Sequence, residues 1–244
     1  MLSQKEKHQL KQYCDDNPHL SILVQHLEDS HRMNLSRISH EIRNPVTIIN
    51  SFLQLTQKNY PEVTSYRTWE PIIENMEYLK NLLQEFSDYN NTSQLHKETI
   101  SLHSFLDALS NDCQTAFPYI AFTYQKVSAI PPAAFDKTKL QSAILNIIRN
   151  AAEAMEFQSR PRIHLTLSFD GNYFYLKISN NGTPIPAEQI PYLFEPFVTY
   201  KKNGSGLGLA IVRNIIHAHN GYITVRSSSE ETSFTFVLPL SYTE

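Results

Sequence analysis

"SRISHEIRNPVTIINSF" (residues 36–52) holds a titratable pair, His40 and Glu41, inside a stretch with helical spacing, and Pro45 follows five residues after the histidine. Imidazole changes its protonation near neutral pH, so a histidine beside a carboxylate is a unit able to move a proton. On a helix, residues two apart lie about 200° apart. His40 is therefore expected to point away from the seam carrying Ile38 and Ile42. Asn44, one turn on, shares its face, and Glu41 lies close enough to reach the ring. Pro45 removes one helical N–H and crowds the Glu41 carbonyl, so the backbone beside the pair should be disturbed. The second group is made of glycine. The chain has six, and Gly204, Gly206 and Gly208 fall within five residues, while Gly182 stands in "ISNNGTPIP". Glycine gathers where backbone turns tightly or approaches a ligand. An exposed histidine taken alone is usually a solvated side chain, so the elements around these groups decide their meaning.

Residues 1–93 form the first domain of this reading and contain no glycine. Asp16-Asn17-Pro18 is a stop and restart, with Asn17 as N-cap and Pro18 at the first helical position. From there Leu20, Val24, Leu27, Leu35, Ile38, Ile42, Val46, Ile49 and Leu53 keep a three-four spacing, with polar His31 the one intruder, that of a long amphipathic helix. "NYPEVTSYRT" breaks it, and a second helix is expected from about Thr68 to Asn90. An antiparallel hairpin of this kind cannot bury its stripes alone. Two hairpins pairing into a four-helix bundle solve the problem, so a homodimer is expected.

Residues 94–244 form the second domain, of mixed strands and helices. "IHLTLSFDGNYFYLKIS" alternates on both sides of Asp170-Gly171, which predicts a hairpin. "DKTKLQSAILNIIRNAAEAM" and "GLAIVRNIIHAHN" read as helices, the latter stopping at Asn220-Gly221. "YITVRS" and "SFTFVLPL" close the chain as strands. The fold class is α+β: a helical hairpin, then a two-layer α/β sandwich with one sheet and helices on one face.

A net charge of −3 and the lack of a basic run give no electrostatic footprint for nucleic acid. No apolar stretch approaches the ~18–20 residues that span a bilayer, and the N-terminus does not read as a signal peptide, so a cytoplasmic protein without membrane insertion is expected. Cys14 and Cys113 read as two ordinary thiols.

"SHEIRNP" closely resembles the phosphoacceptor motif of bacterial sensor histidine kinases, and the family's other boxes follow in order. "LNIIRNAAEAM" resembles the N-box, "ISNNGTPIP" stands where the first glycine box belongs, "LFEPFVTYK" resembles the F-box and "NGSGLGLAIV" the second glycine box. The resemblance covers roughly Ser36 to Leu240. It implies an ATP-binding domain of the kind shared with gyrase-, Hsp90- and MutL-like ATPases, loaded with ATP and Mg²⁺. By this analogy Asn150 is the metal ligand, with Asn146 nearby; an amide oxygen suits so hard a cation. Gly204, Gly206, Leu207 and Gly208 would close backbone N–H groups on phosphate at the start of a helix. Lys201 and Lys202 would lie in a lid, either neutralising phosphate or merely solvated, with Phe194 and Phe197 anchoring that lid to the core. Arg149 and Glu153 receive no role.

The first glycine box departs from the family. Asn180 stands where an aspartate usually accepts a hydrogen bond from the adenine amino group, and Pro184 stands where a second glycine is usual. The asparagine keeps an acceptor but loses the charge. With Gly182 it still completes a nucleotide site. The implied activity is ATP-dependent autophosphorylation of His40, with Glu41 orienting the ring and taking its proton, followed by transfer to an aspartate on a response-regulator receiver domain in trans. Asn44 resembles the position that orients water for dephosphorylating that regulator. Other readings stay open. One is a phosphorelay phosphotransferase or pseudokinase scaffold with a degenerate ATP site. Another is an ATP-hydrolysing relative, against which stands Asn146, where such enzymes carry a glutamate.

Overall fold

Asn17 accepts hydrogen bonds from the backbone N–H groups of His19 (3.1 Å) and Leu20 (3.3 Å), and Pro18 follows at the first helical position. Helix α1 (Pro18–Asn59) therefore starts at the cap that the sequence offers. It then runs through Pro45 without interruption. The proline's effect is a missing N–H opposite the Glu41 carbonyl, not a break in the helix. A short 3₁₀ turn (Pro61–Ser65) reverses the chain into α2 (Trp69–Asn90). Arg43 donates to the Gln84 amide oxygen at 3.4 Å, tying the two antiparallel helices together. The computed structural model describes Tyr13 and residues 17–92, 94–126, 130–201 and 204–241; Cys14 and Lys202 lie outside the described residues. The chain divides into two units between Asn90 and Asn91.

Among the described apolar residues of the hairpin, only Val46 and Leu83 are buried. Ile38, Ile42, Ile49 and Ile72 are each more than 40% exposed, at 46%, 44%, 48% and 44%. The stripe thus splits into a narrow line facing the neighbouring helix and a broader apolar face left open beside it. No helix among the described residues is long and apolar enough to cross a membrane.

The second unit builds its core from alternation. In β4 (Arg162–Phe169) and β5 (Tyr173–Asn180) the inward set is Ile163, Leu165 and Leu167 against Phe174, Leu176 and Ile178, all buried. These two strands form the expected hairpin, with Phe169 opposite Phe174. Asp170 fixes its tip by accepting from the N–H groups of Asn172 and Tyr173, and those bonds hold its carboxyl below the usual range. The sequence predicts a single sheet, and the described residues form two. A five-stranded sheet has the order β2-β4-β5-β7-β6, and β1 (Glu98–Ile100) pairs separately with β3 (Ala133–Phe135). Strand β2 (Ala121–Lys126) runs parallel to β4, and β7 (Thr232–Pro239) lies between β5 and β6 (Tyr222–Ser227).

Three helices complete the layer: α3 (Leu102–Ala116) against β2, α4 (Lys137–Ala154) against β5, and α5 (Gly208–Ala218) against β6 and β7. Their apolar faces are fully internal, with Leu140, Ile144, Ile147 and Ile148 on α4 and Ala210, Ile211, Ile215 and Ile216 on α5. Each such leucine or isoleucine contributes about 1.5–3 kcal/mol by leaving water. Burial pushes the Cys113 thiol on α3 up to about 11, which keeps it protonated and unreactive at neutral pH. Helix α5 ends at the expected place, and the left-handed residue there is Asn220 (φ 58°).

Asp136 joins the start of α4 to its surroundings. Its carboxylate caps Lys139 N–H at 3.0 Å and accepts from His96 N–H at 2.8 Å. Its own N–H donates to Nε2 of the buried His219 at 3.0 Å, while His219 Nδ1 lies 2.8 Å from the Ile215 carbonyl. With the carbonyl as acceptor, Nδ1 carries the proton and Nε2 stays free to accept, so this histidine is neutral. Burial is the main cause that lowers its pKa below the ordinary value.

Candidate functional site

His40 and Asn44 are exposed on α1, one turn apart, while Ser39 and Val46 on the same helix are buried. The imidazole therefore stands outward, as the helical spacing predicts. Glu41 takes a different partner from the one expected. Its carboxylate lies 3.9 Å from the Arg37 guanidinium, an i,i+4 pair in which both side chains are about 70% exposed, at 71% and 72%. A pair this solvated is weak, so the carboxylate is easily released to its neighbour.

The second cluster is assembled by the C-terminal end of α4, the end of β5 and the segment leading into α5. Asn146 and Asn150 sit four apart on one face of α4, and Glu153 follows a turn later. The Asn150 amide oxygen accepts a hydrogen bond from the Lys201 ammonium at 2.5 Å, and Glu153 forms an ion pair with the same ammonium. Two oxygen donors from consecutive turns thus already hold a cation. This is the observation by which the residues fit a metal: the ammonium stands where a cation of the same sign would be held. Among the described residues no group of three or more histidine, cysteine or acidic side chains could hold a metal. A cation here would keep waters and draw further ligands from phosphate, the habit of magnesium.

Asn180 ends β5 on the face that carries the helices, and Gly182 follows it. A Cβ at Gly182 would meet the Ala154 carbonyl oxygen at 2.7 Å, so only glycine lets this loop lie against the end of α4. Thr183 N–H donates to that same carbonyl at 2.9 Å, and Ile185 N–H donates to Ser227 Oγ at 2.8 Å. Pro184 sits between these two anchors, where it leaves both bonds intact.

The segment before α5 is held at three points. Phe194 meets Phe234 edge to face at 6.5 Å, Glu195 lies 3.7 Å from Arg213, and Phe197 N–H donates to the Gly206 carbonyl at 3.0 Å. Phe197 does not anchor as expected. Its backbone is left-handed (φ 65°) and the residue is 55% exposed, so among the described residues of this segment Phe194 supplies the aromatic anchor. Gly206 has φ +71°, and a Cβ there would strike the backbone of Phe197 and Val198. Gly204 packs against Thr199, and a Cβ at Gly208 would lie 3.8 Å from the Asn146 amide oxygen. Leu207 is wholly buried, and its N–H donates to Ser205 Oγ at 3.1 Å; its side chain pins the loop to the core. Among the described residues no side chain caps the start of α5, which leaves first-turn N–H groups for an anion.

Sequence reasoning missed the cation grip of Glu153, although its position three residues after Asn150 was a usable signal. It also missed Thr232 and Ser227, whose hydroxyls lie 2.7 Å apart beside Asn180 and support the glycine loop. A separate concavity of about 600 Å³ lies on the opposite, helix-free face, lined by Tyr175, Lys177, Tyr222 and Arg226 among others, and holds none of the expected residues.

Residues 135–242 match the model for histidine kinase-, DNA gyrase B- and HSP90-like ATPases, and residues 30–94 match that for the His kinase A phospho-acceptor domain. The sensory histidine kinase/phosphatase NtrB of Rhizobium leguminosarum bv. phaseoli is 28% identical over 221 residues, covering 84% of this chain and 57% of that protein. Sporulation kinase B of Bacillus subtilis is 26% identical over 206 residues, covering 83% of this chain and 48% of its own. The chain thus spans about half the length of these curated relatives. Full-length ShkA, solved with AMPPNP, shares the fold with a TM-score of 0.72 at 21% identity, over 86% of this chain and 46% of that one. Histidine kinase ThkA, solved with the response regulator protein TrrA, gives a TM-score of 0.61 at 25% identity over 95% of this chain and 66% of that one.

Proposed function

Because this chain belongs to the sensor histidine kinase family, we propose that it is an ATP-dependent protein-histidine kinase that phosphorylates itself on His40. In this reading residues 1–93 dimerise and carry the phosphoryl group, and residues 94–244 bind ATP with Mg²⁺. Asn150, with Glu153 beside it, would hold the metal, which when bound neutralises phosphate charge. Asn146, Gly204, Gly206, Gly208 and the open start of α5 would receive the phosphates, Leu207 would fix their loop, and Asn180 and Gly182 would face the base. Lys201 would leave its two oxygens as the cation arrives and turn to phosphate.

The neutral imidazole of His40 attacks the γ-phosphorus. A P–N bond forms, the bond from that phosphorus to the bridging oxygen breaks, and ADP leaves. Glu41, released from Arg37, takes the ring proton. Little more is required, since phosphoryl transfer rests mainly on positioning and charge stabilisation. The phosphoryl group then passes to an aspartate of a response-regulator receiver domain, and Asn44 orients water when the regulator is dephosphorylated. The open apolar face of Ile38, Ile42 and Ile49 supports a homodimer through the hairpin. In this reading the chain works in the cytoplasm.

The observation that carries this reading is the cation already gripped by Asn150 and Glu153 at the approach to an uncapped glycine-fed helix. Incubation with γ-labelled ATP and magnesium tests it. Wild type should take up acid-labile label and His40→Gln none; label retained on the variant, or stable to acid, contradicts it. Asn180 and Pro184 favour a second reading, a phosphotransferase whose ATP site is a scaffold. That reading expects no nucleotide binding and expects His40 to be charged only by a phosphorylated partner.

A further inference from the structure

Among the described residues, Asn180 is the one member of the proposed nucleotide site with a buried side-chain polar atom that the fold leaves unsatisfied. The residue is 6% exposed, and its Nδ2 is buried without a hydrogen-bond partner. An unpaired buried donor is costly, and native proteins rarely keep one without a use. Its surroundings explain the vacancy of acceptors. A Cβ at Gly182 would fall 2.9 Å from Nδ2, so only glycine lets this loop pass so close to the amide. Thr232, opposite Asn180 in the strand register, turns its hydroxyl to Ser227 Oγ at 2.7 Å, and that oxygen also accepts Ile185 N–H. Neither hydroxyl serves the amide.

Resting on the reading that this loop receives a nucleoside triphosphate, we infer that Asn180 reads the base with one donor and one acceptor, and so admits 6-oxopurine as well as 6-aminopurine nucleotides. Adenine presents an amino donor at C6 beside the N1 acceptor. An amide oxygen accepts from the first while the amide nitrogen donates to the second. Hypoxanthine presents the reverse pattern, a carbonyl acceptor at C6 beside an N1–H donor. The same side chain, turned end for end, matches it with both bonds kept. A carboxylate at this position has only acceptors, so it suits the amino group and opposes the carbonyl oxygen. The orphaned Nδ2 is the group that a carboxylate lacks, and it is the group that would meet that carbonyl.

Displacement of a fluorescent ATP analogue from the full chain, by ATP or by ITP with magnesium, tests this. The two bases differ only at the edge in question. Wild type should bind ATP and ITP within about ten-fold of each other, whereas Asn180→Asp should favour ATP by a further ten-fold or more through loss of ITP, since a polar site matched to one edge rejects the other by large factors. Asn180→Ala should weaken both nucleotides alike. A wild-type preference for ATP above about a hundred-fold, or a ratio unmoved in Asn180→Asp, overturns the inference, and the wild-type ratio decides it even where the aspartate variant fails to fold. ATP binding with ITP excluded overturns this inference alone. Displacement by neither removes the nucleotide site and the inference together.

Discussion

The two units of this chain treat their apolar residues in opposite ways. The α/β unit closes on itself: Ile147 and Ile148 of α4 and Phe236 of β7 are at most 1% exposed. The hairpin leaves Ile38, Ile42 and Ile49 facing water and, among the described residues, buries only two apolar side chains. One unit closes its core, and the other leaves an apolar face open. The same division runs through the chemistry. The α/β unit holds its charged groups in networks, with the Lys201 ammonium on Asn150 and Glu153, and the Asp136 carboxylate on the backbone N–H groups of His96 and Lys139. The hairpin shows its imidazole bare on a helix surface. On the proposed function, a phosphoacceptor must be reached and left again, whereas a nucleotide site must be fixed in place. The packing follows those needs.

Truncation at equivalent side chains breaks or sharpens the contrast. Ile147→Ala removes a fully buried side chain and should destabilise the α/β unit by about 2–5 kcal/mol in a denaturant titration. Ile42→Ala should leave that transition unchanged and show its effect on association, read as a lower dimer fraction by light scattering. Equal losses in the same transition would deny that the two cores are independent.

Acid should also separate the units. Buried His219 is neutral in the folded chain and has its pKa lowered, chiefly by burial. Once pH falls below the ordinary histidine value of ~6.5, the unfolded chain takes a proton that the folded chain refuses. Stability of the α/β unit should therefore decline with falling pH from that point toward the depressed folded value, and stay flat above it. The groups felt at the ring are Lys97, Asp136 and Lys139, and the two lysines act in the same direction as burial. His219→Gln should flatten this profile when melting is followed at a series of pH values. A slope unaltered by the variant would assign the acid sensitivity elsewhere. The smallest change is at the start of the hairpin: Asn17→Ala loses the cap on His19 and Leu20 and should lower helix stability by about 1 kcal/mol, seen as reduced helical ellipticity on heating.

What the sequence made legible was local. The Asn17-Pro18 start, the stop at Asn220, the β4–β5 hairpin and the glycine-fed helix each follow from a few neighbouring residues whose backbone preferences agree. The long-range pairings were not legible. Strand β2 aligns Ala121 with Arg162 in parallel, and nothing in the periodicity of either segment names the other. The separate β1–β3 pair escaped for the same reason. At the site, the residue types and order were readable, but their partners were not. Glu41 turns to Arg37, and Phe197 turns outward because the left-handed turn that its N–H makes with Gly206 leaves its ring off the core. Side-chain choice among several charged neighbours depends on distances that spacing alone does not supply.

The central claim is that a nucleotide held by the α/β unit charges the imidazole at position 40. After incubation with magnesium and ATP, peptide mapping of wild type and Asn150→Ala at neutral pH locates any phosphoryl group. The account predicts one group on the fragment bearing His40 in wild type and its loss in Asn150→Ala, with the variant still folded. A phosphoryl group on another residue, or equal charging of His40 in both proteins, would contradict it.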